Sequence, residues 1–309
     1  MIEGTYHFQF KVTDNAGLTG VDTTSVTVLA ALEPPVANAG DSQIVQLPVN
    51  SATLTGTGTT ANGNITAYLW TFISGPNVPV IAQASSSSTN VTGLVAGTYY
   101  VQLQVTDNAG LTGLDTTSVI VKPITLSLQP SNNIANEANI AVIGSSDGTS
   151  HDKDLDAGAW TNGGSPVYIR GSFKFDLSGL PSNATIISAK LSLYSILDPT
   201  NGDLVNANSG TNNAMYIRRI TSDWDGNTVT WQTQPSTTTT DQILIPHTNQ
   251  STFDLIDLDV KTLIDAMRTN GNYGFMLNLQ YEIAYNIRQF CSSTHSDATK
   301  HPKLVIIYQ

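Results

Sequence analysis

Residues 97–122 read GTYYVQLQVTDNAGLTGLDTTSVIVK. Tyr99, Val101, Leu103 and Val105 fall at every second position, the spacing that sends side chains to one face of a strand. Asp107-Asn108-Ala109-Gly110 supplies turn-forming residues, and Thr117, Val119 and Val121 take up the alternation on a return strand. The stretch is therefore a β-hairpin with one apolar face. A two-stranded ribbon of this kind is marginal in water until other strands cover it.

The same text occurs earlier. Residues 13–28, TDNAGLTGVDTTSVTV, match residues 106–121 at fourteen of sixteen positions with an offset of 93, and Gly4-Thr5-Tyr6 recurs at Gly97-Thr98-Tyr99. A period near 93 is too long for a solenoid and suits a small β-sandwich domain. The first copy holds only the last two strands. Residues 1–33 are thus expected to be the C-terminal hairpin of a truncated module from a tandem array. Its apolar face must be covered by the next module or by another chain, which makes self-assembly through the incomplete hairpin a candidate behaviour.

Composition narrows the function. The 309 residues give room for two or three domains, and an apolar content of 40% supports real cores. Charged residues are scarce at 12%, and the net charge is -11. That balance excludes nucleic acid as a partner, because phosphate binding needs clustered Lys and Arg. Up to Pro123 the only bases are Lys11 and Lys122, against seven acids; from Ile124 onward there are eleven bases and seventeen acids. Any site for an anionic sugar therefore belongs to the C-terminal part. Cys291 stands alone, so no intramolecular disulfide forms. No apolar run reaches membrane-spanning length, and the opening MIEGTYHFQF is not a signal sequence. These features point to an excised part of a secreted or cell-surface bacterial protein.

Between Pro34 and Lys122 lie PPVANAGDSQIVQLPVNSATLTGTGT, then YLWTFISGP, then the hairpin quoted above. In this order they resemble a PKD (polycystic-kidney-disease-type) domain. Tyr68, Trp70 and Phe72 alternate on its third strand, so the indole fills the core. The resemblance implies an Ig-like β-sandwich over 34–122 that serves as a spacer. Asp107, Asn108 and Asp115 hold either a structural calcium or, as Asp and Asn commonly do, the turn itself.

Beyond Pro123, short β-branched and aromatic segments (FKFDL, TIISAKLSLYSI, AMYIRRI, TVTW, YGFMLNLQ, KLVIIY) predict a β-sandwich or jelly roll over 123–309. Only Val260–Arg268 reads as helix, with Leu263, Ile264 and Met267 on one side and Asn270-Gly271 to end it. The blocks GAWTNGGSPVYIRGSFKFDLSGLPSNATIISAKLSLYS, RRITSDWDGNTVTWQTQP, IDLDVKTLI, NYGFMLNLQ and FCSSTHSDATKHPKLVIIY resemble the DNRLRE domain, over nearly all of 131–309. That group is related to carbohydrate-binding modules attached to alginate lyases. The resemblance implies an all-β jelly roll, sugar binding in some members, and often bound calcium.

Sugar recognition needs flat aromatic rings for CH faces and polar groups for hydroxyls, with Arg suited to a uronate carboxylate. The candidates are Trp160, Tyr168, Arg170, Tyr285, Arg288 and His295. Two have a bland alternative: Trp160 as core, Arg170 in a structural ion pair. Trp224 and Trp231 read as core, with Asp223 and Asp225 capping a turn. For structural Ca2+ the candidates are Asp152, Asp154 and Asp156, alternating along HDKDLD; the cluster Asp254, Asp257 and Asp259; and Glu137 with Asn139. The five histidines show no zinc spacing, and no nucleophile elbow, phosphate loop or dinucleotide motif occurs. The expected function is a non-catalytic binding module for a polysaccharide, anionic ones included; the rival is a stalk or filament subunit with no sugar site.

Overall fold

The computed structural model describes residues 1–61, 63–130 and 134–309 and separates them into two units, 1–122 and 123–309. Residue 131, where the second resemblance starts, lies outside the described residues. In the first unit, β1 (Gly4–Thr13) and β2 (Thr19–Val28) pair with each other and, among the described residues, with no other strand. There follow β3 (Val36–Asn38), β4 (Gln43–Gln46), β5 (Ser51–Thr55), β6 (Thr57–Thr59), β7 (Ile65–Ser74), β8 (Val80–Ile81), β9 (Ser88–Thr92), β10 (Gly97–Asp107) and β11 (Thr112–Lys122). One sheet runs β4-β11-β10-β7, with β4 parallel to β11, and another runs β5-β9-β8. Leu54 and Val91 meet Trp70, Tyr99, Val101, Leu103 and Val119 in a shared core. This is the Ig-like sandwich. Gly56 makes room for it: a Cβ there would sit 2.3 Å from Leu103 Cδ2 and 2.8 Å from Trp70 Cζ2.

The turn acids of this unit serve the backbone. Asp107 Oδ1 accepts from Ala109 N and Leu111 N, Asn108 Oδ1 from Asn64 N, and Asp115 Oδ2 from Ala39 N. Asp14 repeats the Asp107 pattern with Ala16 N and Leu18 N. The turn reading describes Asp107; Asn108 and Asp115 instead tie the hairpin to the backbone of other segments, at Asn64 and Ala39, with Asp115 on β11 itself.

The second unit contains β12 (Ile124–Leu128), β13 (Glu137–Ile143), β14 (Ser146–Ser150), β15 (Asp154–Asn162), β16 (Ser165–Phe173), β17 (Ile186–Leu193), β18 (Asn208–Ser209), β19 (Met215–Arg219), β20 (Ile243–Ile245), β21 (Leu255–Asp259), helix α1 (Lys261–Asn270), β22 (Phe275–Leu279), β23 (Asn286–Cys291) and β24 (Lys303–Tyr308). A four-stranded sheet β12-β24-β17-β21 faces a larger one, β18-β23-β15-β16-β22-β19-β20, to which β13 and β14 add through β16. Leu191, Leu193, Leu304 and Ile306 from the first pack on Leu155, Phe173, Met215, Phe275, Leu277 and Phe290 from the second. Each such side chain contributes about 1.5–3 kcal/mol by leaving water. Helix α1 buries Leu263, Ile264 and Met267 against the same core.

Two segments expected as strands are not. FKFDL leaves the sheet after Phe173, and TVTW lies in turns. In TVTW the hydroxyls of Thr230 and Thr233 bond each other locally, and Val229 is spent on a satellite core with Trp224. Conversely, HDKDLD runs into a strand, β15. At Gly171 that strand passes so close that a Cβ would lie 2.9 Å from Asp156 O. There the Asn139 side chain stands in for a strand neighbour, donating Nδ2 to Asp154 O (3.0 Å) and accepting from Asp156 N (2.9 Å).

Candidate functional site

Trp160 projects from β15, and Tyr285 immediately precedes β23 with a left-handed φ of 67°. The β15–β23 register pairs Ala159 with Asn286, so the next position outward sets Trp160 beside Tyr285. Their ring centroids are 5.3 Å apart at 77°, an edge-to-face pair. Tyr285 is 57% exposed and Trp160 half-buried. Thr161 Oγ1 donates to the Tyr285 hydroxyl at 3.4 Å, and Tyr281 and Ile283 of the same β22–β23 turn are also exposed. Residues 194–207 back the pair: Gly202, at φ 61°, lies where a Cβ would come within 2.8 Å of Ile287 and 3.6 Å of Trp160.

Tyr168 does not join this pair. Ala159 is its cross-strand partner, so Tyr168 and Trp160 leave the sheet on opposite faces. Tyr168 instead packs at 6.2 Å from Trp231. Arg170 lies 4.4 Å above the Trp231 ring, donates Nε and Nη2 to the two oxygens of Glu282 (2.7 and 2.9 Å), and donates Nη1 to Gln234. Its fork is closed on a carboxylate of its own chain. Of its two readings, the structural ion pair describes it.

Arg288 is a correction to the surface-site reading. Its side chain is 0% exposed, on a strand buried along its whole length and beneath the segment that carries Pro246 and Phe253. Nη1 donates to Pro246 O at 2.9 Å and the guanidinium lies 5.8 Å from the Phe253 ring, with no ion-pair partner among the described residues. Burial lowers its pKa to about 10, which leaves it charged at neutral pH. A sugar at the surface has no access to it. His295 lines a different place, a cleft of about 620 Å³ with Phe253, Asp198, Asp254, Asp297 and Lys300. Its Nδ1 accepts from Asp297 N, and its Nε2 lies 4.0 Å from Asp198. The candidates thus fall into three groups: Trp160 with Tyr285, Tyr168 with Arg170, and His295 apart. Cys291 reaches the same cleft but is buried, which pushes its thiol up to about 11 and leaves it inert.

The calcium candidates also separate. Asp254 Oδ1 accepts from Ser195 N; Asp257 is held at φ 53°; Asp259 pairs with Lys190 at 3.0 Å and caps Lys261 N. The Lys261 amide and Lys190 keep the Asp259 pKa below its ordinary range. These three do not converge on one point: Asp254 and Asp259 are bound to different neighbours, and no three acids group together among the described residues. Asn139 has both amide atoms committed to β15 and offers no free ligand. Glu137 accepts through Oε1 from Ser293 N and Oγ, and burial drives its pKa up to about 7; its Oε2 has no partner. Asp152 is half-buried beside Asp154 and Asp156, which are fully buried. Among the described residues, no three His, Cys, Asp or Glu side chains form a metal cage. Of the calcium candidates only Asp154 and Asp156 share a chamber, and two oxygens there lack partners, Asp156 Oδ1 and Gln289 Oε1.

Sequence reasoning had no signal for Gln289, Thr200, Asn201 or Glu282, each of which meets its partner across 45 or more residues.

Residues 39–121 match the K319L-like, PKD domain, and residues 129–308 match carbohydrate-binding module family 96. Dyslexia-associated protein KIAA0319-like protein of Mus musculus is 41% identical over 125 residues, 40% of this chain and 12% of that protein. Dyslexia-associated protein KIAA0319 of Homo sapiens is 39% identical over 125 residues, with the same two shares. The chain therefore spans 12% of the length of these curated relatives, and their mammalian source gives no support to the bacterial origin expected from composition. The solution structure of the PKD domain from KIAA 1837 protein is 36% identical, covers 30% of this chain and 90% of that one, and has a TM-score of 0.27. Both matched families are non-catalytic modules, and among the described residues no helix is long and apolar enough to cross a membrane. With well over half its length matched, the chain belongs to carbohydrate-binding module family 96, with a K319L-like PKD domain ahead of that module.

Proposed function

We propose that residues 123–309 hold a polysaccharide at the outside of a cell, without cleaving it, and that the PKD domain spaces this module from its neighbours. The observation that carries the reading is the Trp160–Tyr285 pair: two rings at 5.3 Å, one of them 57% exposed, with a hydroxyl from Thr161 alongside. Such a ring pair covers the CH face of a pyranose, and the adjacent hydroxyls fix its orientation.

The arginines bear on the sugar's charge. Arg170 is neutralised by Glu282 and Arg288 is buried, so neither is free for a uronate carboxylate. This favours a neutral glycan over a uronate polymer. A panel of immobilised glucans, mannans, chitin and uronates tests both points. Retention on at least one neutral polymer, with no new reducing ends after long incubation, is expected. Retention on none of the panel would favour a stalk with no sugar site.

A further inference from the structure

Two arginines of the second unit carry the same edge of the guanidinium in opposite states. Arg170 gives Nε and Nη2 to the two oxygens of Glu282, at 2.7 and 2.9 Å. Arg288 has those same two nitrogens buried with no acceptor for either, on a side chain that is 0% exposed. Its Nη1 is engaged, with Pro246 O at 2.9 Å. Asn208 of β18 is its cross-strand partner and lies on the same face, and the Phe253 ring stands 5.8 Å away. Asn208 Nδ2 donates to Gln250 O at 3.2 Å, while its Oδ1 is buried without a donor. Residues 246–253 therefore close over a cation that has no counter-charge among the described residues. Desolvation alone moves its pKa, and it does so downward.

A buried charge is tolerated where another charge or a full set of hydrogen bonds compensates it, and the Phe253 ring at that distance compensates little. We propose that the free Nε–Nη2 edge of Arg288 binds a chloride ion beneath residues 246–253, and that this counter-ion holds the segment onto β18 and β23. The two N–H groups of that edge point the same way, as Glu282 shows at Arg170, so they converge on one acceptor. A water shared with Asn208 Oδ1 satisfies the hydrogen bonds but leaves the positive charge uncompensated. A monovalent ion balances one guanidinium; sulfate or phosphate brings surplus charge into a site closed to solvent. The site does not depend on a sugar being bound at Trp160 and Tyr285.

Melting of the whole chain at fixed sodium and ionic strength, with chloride replacing gluconate, reads the ion apart from general salt screening. Gluconate is too large to enter. Tm should rise by about 3 °C at a tenfold excess of chloride over Kd and then flatten, as site binding requires. Bromide should substitute for chloride. Arg288→Met, which keeps the length and removes the charge, should fold and melt identically in the two anions. A chloride response that persists in Arg288→Met would overturn the site, since the ion would then sit elsewhere. Crystals of the unaltered chain soaked in bromide give a direct reading that holds even if the variant does not fold. An anomalous peak within hydrogen-bond reach of both Nε and Nη2 is expected. Its absence would overturn the proposal in favour of the bridging water.

Discussion

Glu137 is the residue whose energetics speak most directly to pH. Burial raises its pKa from 4.5 to about 7, against the opposing pull of the Ser293 hydrogen bonds. An acid whose folded pKa is raised binds its proton more tightly in the fold than in the unfolded chain. Its contribution to stability is therefore full below pH 4.5, declines as pH rises toward 7, and is absent above. The loss across that window is about 3 kcal/mol. Asp154 and Asp156 shift the same way, chiefly through desolvation. Glu137→Gln should thus flatten, without abolishing, the fall in Tm between pH 4.5 and 7, as read by calorimetric melting in several buffers. Arg170 gives a second outcome at this scale. Arg170→Ala strands the half-buried Glu282 and should cost about 1 kcal/mol of stability, while polysaccharide affinity stays unchanged. Loss of binding without loss of Tm would return Arg170 to the sugar site. Side-chain face was legible from alternation, as Trp70 shows, but depth was not. Arg288 has the same spacing as a surface arginine, and only the Phe253 and Pro246 segment that folds over it, some forty residues away in sequence, makes it internal.

At the scale of elements, the two ribbons form an internal control. β1–β2 and β10–β11 have one register, Gly4 opposite Val28 and Gly97 opposite Val121. Yet Phe8 and Phe10 are 50% and 69% exposed, where Val101 and Leu103 are fully buried. Strands β4 and β7 flank the second ribbon and, among the described residues, none flanks the first. Amides of residues 97–122 should therefore exchange with deuterium about a thousandfold more slowly than those of residues 4–28 in this chain. Equal protection in the two ribbons would mean that something covers the first, as self-assembly requires. Helix α1 was readable because its apolar spacing, its Asn-Gly end and its burial agree. TVTW misled because β-branched content describes a preference for extended backbone and cannot see that Asp225 ties Asn227, Thr228 and Val229 into consecutive turns. The strand at β15 was obscured by its acids, which are tolerated only because Asn139, Thr200, Asn201 and Gln289 arrive from elsewhere in the chain.

For the whole molecule, two all-β units with separate cores and a single buried thiol make a chain whose stability owes nothing to disulfides. The all-β class was legible because β periodicity and punctuation recur along the full length. The candidate site was legible only as residue types: Trp160 and Tyr285 sit 125 positions apart, and what joins them is the register of β15 against β23. The account stands on that pair as the surface that grips a polysaccharide. Titration of the intact chain and of Trp160→Ala and Tyr285→Ala with a retained neutral polymer tests it most directly. Each variant should keep the wild-type circular dichroism and bind at least about tenfold more weakly, near 1.4 kcal/mol. Wild-type affinity in the double variant would contradict the account.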